Sequence, residues 1–361
     1  MTADRRTLDP LRAQARQARV VGDYGRAARL ERQAVERAGV LGWIGERTRA
    51  LLWEGYSLWQ AGDDDLALAA LLQAVNERAT TADPADVFSA LIAIVRVSLD
   101  RKSAAFCRAV LDQGRRLLAD LRRPWTAPLD YLTGELAFRR GDFTAAWDWH
   151  SRAWAGWRDE HPRLTALTHL WALCRVAFHR RATDELARLT ETLAELHPTQ
   201  ALERQLVQRA WLLDWRARRT LDPDAAAPVE LALDLLVATP EGSRDFGARQ
   251  DALRALALAG RWMAIDAALS RHPLDAERFE NALLLGDLAL GRARAAQGWP
   301  AVDDDYGVEP SPLSVPPGSA RTERNAAIAH YQTALPLAQV EDERLETDWH
   351  GATVRERLWR I

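Results

Sequence analysis

The sequence predicts an all-α solenoid, and three observations carry that prediction. A glycine-led turn recurs at close to forty residues. Apolar residues at helical spacing flank each turn. A small or apolar residue stands five positions after each turn. Gly22-Asp23-Tyr24, Gly62-Asp63-Asp64, Gly141-Asp142-Phe143 and Gly260-Arg261-Trp262 are the clear turns, with Asp100 and Arg181 in the same slot of weaker copies. The intervals from Gly22 to Arg181 are 40, 38, 41 and 40 residues, and Gly260 lies a further 79 on, two more periods. A fixed period of this size is the signature of stacked helix pairs rather than of one globular core.

Each copy reads as helix A, turn, helix B. In the second copy helix A is predicted over 48–61 and helix B over 66–78. Leu51, Leu52, Gly55, Leu58 and Trp59 line helix A, and Ala67, Leu71 and Ala74 make one stripe of helix B. The fourth copy repeats this with Leu132, Gly134 and Ala137, then Ala146, His150 and Ala153. The fifth has Leu170, Leu173, Cys174 and Ala177, then Leu186, Thr190 and Leu193. The five-residue offset joins Gly22 to Ala27, Gly62 to Ala67, Asp100 to Ala105, Gly141 to Ala146, Arg181 to Leu186 and Gly260 to Ile265. Antiparallel helices on a short turn approach closely only at small side chains, and glycine lets the backbone turn. Asp83-Pro84, His161-Pro162, His197-Pro198, Thr239-Pro240 and His272-Pro273 punctuate the ends of B helices.

The sixth copy is irregular, with helix A predicted over 199–219, a longer turn from Thr220 to Asp224, and helix B over 225–238. The eighth is interrupted. Its helix A is predicted over 275–298 and its helix B over 321–339, with Ala327, Tyr331 and Ala334 in repeat spacing. Between them a stretch over 299–320, rich in Asp, Pro, Ser and Gly, reads as an inserted loop. A last amphipathic segment over 341–361 is expected to cap the solenoid, which itself spans 1–340.

The spacing of Gly55, Gly62, Ala67 and Ala74 recurs as Gly134, Gly141, Ala146 and Ala153, and as Ala15, Gly22, Ala27 and Ala34. This pattern resembles the tetratricopeptide repeat (TPR) family. The forty-residue period is similar to the helical repeats of bacterial LuxR-type signal-transduction regulators. The resemblance implies a right-handed α-solenoid of about eight TPR-like helix pairs plus a capping helix. It also implies a bacterial protein–protein interaction scaffold whose A helices line a concave groove.

Bulk composition is consistent with a folded, non-enzymatic binding protein. The chain has 361 residues, 48% hydrophobic and 27% charged, with a formal net charge of −3. Bulk charge therefore argues against a nucleic-acid or anionic-membrane partner. Lys102 is the only lysine among 48 basic residues, which reads as codon bias that also inflates Ala and Leu. Cys107 and Cys174 imply no disulfide framework, and a reducing cytoplasm is the expected location. The first residues lack the apolar segment of a signal peptide, and there is no run of 18 apolar residues.

Chemistry-bearing motifs are not found, so no catalytic residue, metal site or cofactor is expected. His169, Cys174 and His179 step by five, about 500° around a helix, and do not share a face. The triplet Asp63–Asp65 suits a helix N-terminus, and Asp303–Asp305 reads as a solvated loop. Fifteen tryptophans are more informative. Most are expected to pack between repeats. Counting three, six and ten residues back from each turn selects a candidate groove strip. It comprises Trp59, Tyr56 and Leu52; Phe138, Glu135 and Tyr131; and Phe178, Arg175 and Trp171. Looser alignment adds Trp211 and Trp215, with Arg139 and His179 alongside. Rings as anchors and arginines as clamps suit a peptide or protein partner. Alternatively, a small molecule or signalling peptide alters the solenoid's curvature and makes it a regulatory sensor. Residues 1–40 hold nine arginines and five acids, whereas 301–350 hold three arginines and ten acids. Complementary ends make head-to-tail association an expectation of the same sequence.

Overall fold

A computed structural model describes residues 8–77, 83–122, 126–156, 163–199, 201–219, 221–222, 225–238, 247–297 and 319–359. Among them there are seventeen helices and no strand. The first three pairs are α1 (Asp9–Val20) with α2 (Tyr24–Val40), α3 (Ile44–Gln60) with α4 (Asp64–Asn76), and α5 (Pro84–Ser98) with α6 (Ala104–Asp120). Then come α7 (Ala127–Arg139) with α8 (Phe143–Ala155), α9 (Arg163–His179) with α10 (Thr183–Glu195), and α11 (Ala201–Arg219) with α12 (Val229–Ala238). The last are α13 (Ala248–Leu258) with α14 (Trp262–Arg271), α15 (Phe279–Ala296) with α16 (Ser319–Leu345), and α17 (Trp349–Trp359). The chain divides into two compact units. Residues 1–136, with 240–245, form unit 1, and the remainder forms unit 2.

The recurring turn joins two helix ends in one motif. Gly22, Gly62, Gly141, Arg181 and Gly260 all adopt left-handed backbone, with φ from 59° at Arg181 to 88° at Gly62. Each amide bonds back three residues and the next amide bonds back five, as in Gly62 to Trp59 O at 3.0 Å and Asp63 to Leu58 O at 2.9 Å. That pairing of bonds is a Schellman C-cap. The aspartate that follows caps the next helix: Asp23 accepts from the Arg26 amide at 2.9 Å, Asp63 from Leu66 at 3.3 Å and Asp142 from Ala145 at 3.0 Å. One glycine therefore ends helix A, and one aspartate starts helix B two residues later.

Within each unit, successive helices pack side by side, and alternate helices also touch. α3 meets α5 in unit 1, and α9 meets α11, α11 meets α13, and α13 meets α15 in unit 2. The A helices thus form one layer and the B helices the other. Ala27, Ala67, Ala146, Leu186 and Ile265, at the five-residue offset, are all fully buried. Close approach is strictest where glycine sits in an A helix. A Cβ on Gly55 would come within 2.6 Å of Leu71, and one on Gly286 within 2.4 Å of Tyr331.

The third copy departs from the predicted register. Ala105 is exposed, and Cys107 and Gly114 take the buried slots. The turn after α5 is two residues longer than those at Gly22, Gly62, Gly141, Arg181 and Gly260, so α6 begins at Ala104 with Ser103 as its cap. That slides the inward stripe by two positions. In the sixth copy α12 begins four residues later than expected. The expected division at residue 340 falls inside α16, which runs unbroken to Leu345 through Pro336. The predicted loop over 299–320, with Asp303–Asp305, lies outside the described residues except for 319–320, which open α16. The His161-Pro162 and Thr239-Pro240 stops also lie outside them.

Unit 1 carries a staggered set of ion pairs at roughly one period. Arg12 pairs with Glu46, Arg49 with Asp86 at 3.1 Å and Arg101 with Asp64 at 3.1 Å. The Asp63–Asp65 triplet therefore does two jobs, since Asp63 caps α4 and buried Asp64 reaches the following copy. Glu31 and Glu54 are also buried, paired with Arg19 at 2.8 Å and Arg32 at 2.5 Å. Burial pushes both carboxyls above their ordinary pKa, outweighing the opposing pull of their arginine partners.

Two predictions follow from these features. Arginine pays a steric penalty in left-handed backbone that glycine does not, so Arg181→Gly raises stability by about 1 kcal/mol in denaturant titration. Burial makes Glu54 easier to protonate in the fold than in the unfolded chain. Its contribution is therefore fully present below the ordinary carboxylate pKa and is lost as pH rises through the elevated one. Melting temperatures of the wild type and Glu54→Gln, compared from about pH 4 to pH 7, should show the wild type losing ground to the variant as pH rises.

Candidate functional site

The candidate groove residues fall in both units. In unit 1, Tyr56 is half-buried, edge-on to Trp53 and Trp59 at ring-centroid distances of 5.8 and 6.0 Å. Its hydroxyl accepts from Gln60 Nε2 at 3.2 Å, and Arg19 lies 4.6 Å over Trp53. Trp59 and Glu135 are buried, whereas Tyr131 is half-buried.

In unit 2 the strip is covered by the chain's own arginines. Arg175 lies 4.5 Å over Phe138, Arg209 lies 4.4 Å over Trp171, and Arg216 lies 4.7 Å over Phe178. Each arginine comes from the A helix after the one that carries the ring. Trp171 and Phe178 are consequently buried, and Arg216 with them. Packing between A helices, rather than an open groove, accounts for these two rings, and Trp59 is likewise buried. The guanidinium charge is met in turn. Arg209 Nε donates to Asp251 at 2.7 Å, and Asp287 receives Arg357 at 3.3 Å and the Tyr331 hydroxyl at 2.7 Å.

Phe138 and His179 belong to a second cluster. The His179 ring stacks on Phe143 at 4.8 Å, with 9° between planes, and meets Phe138 edge-on at 5.2 Å. Trp349, which opens α17, packs edge-on to Phe143 at 5.6 Å. Its indole sits so close to Gly141 that a Cβ there would fall 2.6 Å from the ring. Around it, the Thr347 hydroxyl donates to Arg140 O at 2.9 Å and Arg140 donates to Glu346 O at 3.3 Å. Asp342 holds the start of α17 by accepting from the His350 and Gly351 amides at 2.9 and 2.7 Å. The predicted capping segment thus returns to the first turn of unit 2 and closes it. Arg139 beside this cluster is half-buried.

The sixth copy holds the one large exposed ring of the strip. Trp211 is 37% exposed, and Trp215 beneath it is buried. Together with Asp214, Arg218, Ala225, Ala226, Pro228 and Leu231 they line a cleft of about 350 Å³. Asp214 is buried and takes Arg218 in two contacts, at 2.6 and 3.1 Å. Burial raises its pKa, opposed by Arg218 and aided by Glu191.

His169, Cys174 and His179 do not converge as ligands. Among the described residues no group of three His, Cys, Asp or Glu side chains is placed to hold a metal. Cys174 is wholly buried in the small-residue slot, and burial pushes its thiol up to about 12. Reading the sequence missed Arg209, Arg216, Phe143, Trp349 and the Asp214–Arg218 pair. A signal for two of them was present: Arg209 and Arg216 stand 38 residues after Trp171 and Phe178, one period on.

No protein-family model matches this chain, and no curated protein matches it. Among the described residues no helix is long and apolar enough to cross a membrane.

The closing contact has a direct test. Trp349→Ala should remove about 2 kcal/mol, since the half-buried indole wedges against a glycine and two rings. Hydrogen exchange should then quicken at 347–351 and 140–143 while amides in α11 keep their protection.

Proposed function

We propose that this chain is a right-handed TPR-like solenoid of about eight repeats, and that it acts as a non-enzymatic scaffold in the bacterial cytoplasm. Its partner is a protein or peptide held against the A helices, not nucleic acid or membrane. The observation that supports this most is Trp211. It is a large ring left exposed over a cleft, in a strip whose other tryptophans are buried. Exposed aromatic residues beside a cavity are common anchors for partner side chains. Tyr56, Tyr131 and Arg139 are further members of the strip that are not fully buried.

A second reading is a ligand- or peptide-responsive regulator, and the Trp349 contact favours it. A ligand that binds better when α17 is released from Gly141 would change the curvature of unit 2.

Affinity capture from the native host, read by mass spectrometry, tests the scaffold reading. The bait carries Tyr56→Ala, Tyr131→Ala, Arg139→Ala and Trp211→Ala, positions chosen because they are not fully buried. The variant should keep its helical circular dichroism and lose the partner that the wild type retains. Equal recovery by both baits would falsify the groove assignment.

A further inference from the structure

The connection between α11 and α12 is where unit 2 leaves its rhythm. In the first, second, fourth, fifth and seventh copies helix B starts two residues after the turn residue, as Phe143 after Gly141 or Trp262 after Gly260. Here nine residues, 220–228, separate the helices. The helical turns missing from α12 are replaced by the cleft. Trp215 braces its outer wall, since its indole N–H donates to Ala225 O at 3.3 Å. Trp211, one helical turn earlier, does not share that task and faces the opening with its ring exposed.

A filled version of the same chemistry exists nearby. Trp171 carries Arg209 on its face at 4.4 Å, and Arg209 is held by Asp251 at 2.7 Å. Indole, guanidinium and carboxylate form one stack. In the cleft, the indole is Trp211 and the carboxylate is Asp214, both on α11. Among the described residues no arginine lies over Trp211. Arg218 sits on Asp214 and is about half exposed, so an incoming guanidinium can take its place on the buried carboxylate while Arg218 turns to solvent. Charge around the opening is acidic. The described residues between 221 and 231 include Asp222 and Glu230 and no basic residue, and Glu191 acts on Asp214 from α10.

We propose that this cleft receives a cationic side chain, the guanidinium of an arginine in a basic peptide, stacked on Trp211 and paired with Asp214. The tryptophan face attracts the cation through its quadrupole, and the buried carboxylate supplies the counter-charge. Lysine fits less well, because its ammonium lacks the planar fork that both stacks and pairs. The proposal rests on the reading of this chain as a peptide binder and adds the chemistry of one anchor.

Ligand-observed NMR titration of the full chain tests it, with the end-blocked peptide Gly-Ser-Gly-Arg-Gly-Ser-Gly as probe. Three counterparts replace Arg with citrulline, Leu or Glu. The arginine peptide should bind about tenfold more tightly than the citrulline peptide, and Trp211→Ala should weaken it by a similar factor while Trp211→Phe restores most of it. Asp214→Asn should weaken it as well. Equal binding of the leucine peptide would mean an apolar occupant, equal binding of the citrulline peptide would mean that charge is not read, and either would overturn the proposal. So would preference for the glutamate peptide, which would make Arg218 the clamp. Indifference to Trp211→Ala would overturn it too, and because that ring is exposed the result is not confused with unfolding. Host-partner capture runs in parallel. A partner still lost from the groove variant when the arginine peptide fails to bind leaves the scaffold reading standing and removes only this anchor.

Discussion

Unit 2 is held together by guanidinium groups laid on aromatic faces one period upstream. Arg175 on Phe138, Arg209 on Trp171 and Arg216 on Phe178 link consecutive A helices. A desolvated contact of this kind is worth about 2 kcal/mol, but a buried charge without its counter-ion costs several. For Arg209 the structure meets that cost with Asp251 of α13, the A helix after its own. Ring, cation and anion therefore come from different helices, and none can shift alone. The same logic in weaker form joins Arg49 to Asp86 and Arg101 to Asp64 in unit 1. An arginine-rich composition that reads as codon bias thus supplies inter-repeat contacts.

Such a layer has consequences for what remains free. Rings that the repeat pattern aims at the groove are consumed by the chain's own packing. Trp211, where the rhythm fails, is the tryptophan of the strip that stays exposed. The long connection after α11 leaves Trp211 exposed beside a cleft that it shares with Leu231 of α12. At the other end of unit 2, α17 turns back so that Trp349 seats on Gly141. The same glycine that permits the left-handed turn also leaves the space the indole fills. Both features belong to departures from regularity, which is where a solenoid can carry properties its repeats do not share.

The fold was legible where local chemistry decides it. Gly-Asp turns, the Ala67 and Ala74 slots and the proline stops locate helices to within a few residues, because C-cap, N-cap and close packing each demand particular residue types. Legibility failed at Ala105, where two extra turn residues rotate the helix relative to a count made along the chain. The candidate site was less legible. Counting back from the turn selected Phe138, Trp171 and Phe178 as residues on one helical face. It did not reveal that Arg175, Arg209 and Arg216 cover them, since spacing along a helix says nothing of what the next helix lays upon it.

The sequence by itself determined a two-layer helical array, its period and its turns, since those are fixed by interactions within forty residues. Only the tertiary structure decided which aromatic rings are buried, that α17 closes unit 2 through Trp349, and that a cleft opens beside Trp211. Each depends on contacts between different helices, from 20 residues apart across the cleft to 206 between Arg140 and the Glu346 carbonyl. Contacts of that kind are set by how the stacked pairs rotate and translate against one another, and no local spacing encodes that rotation.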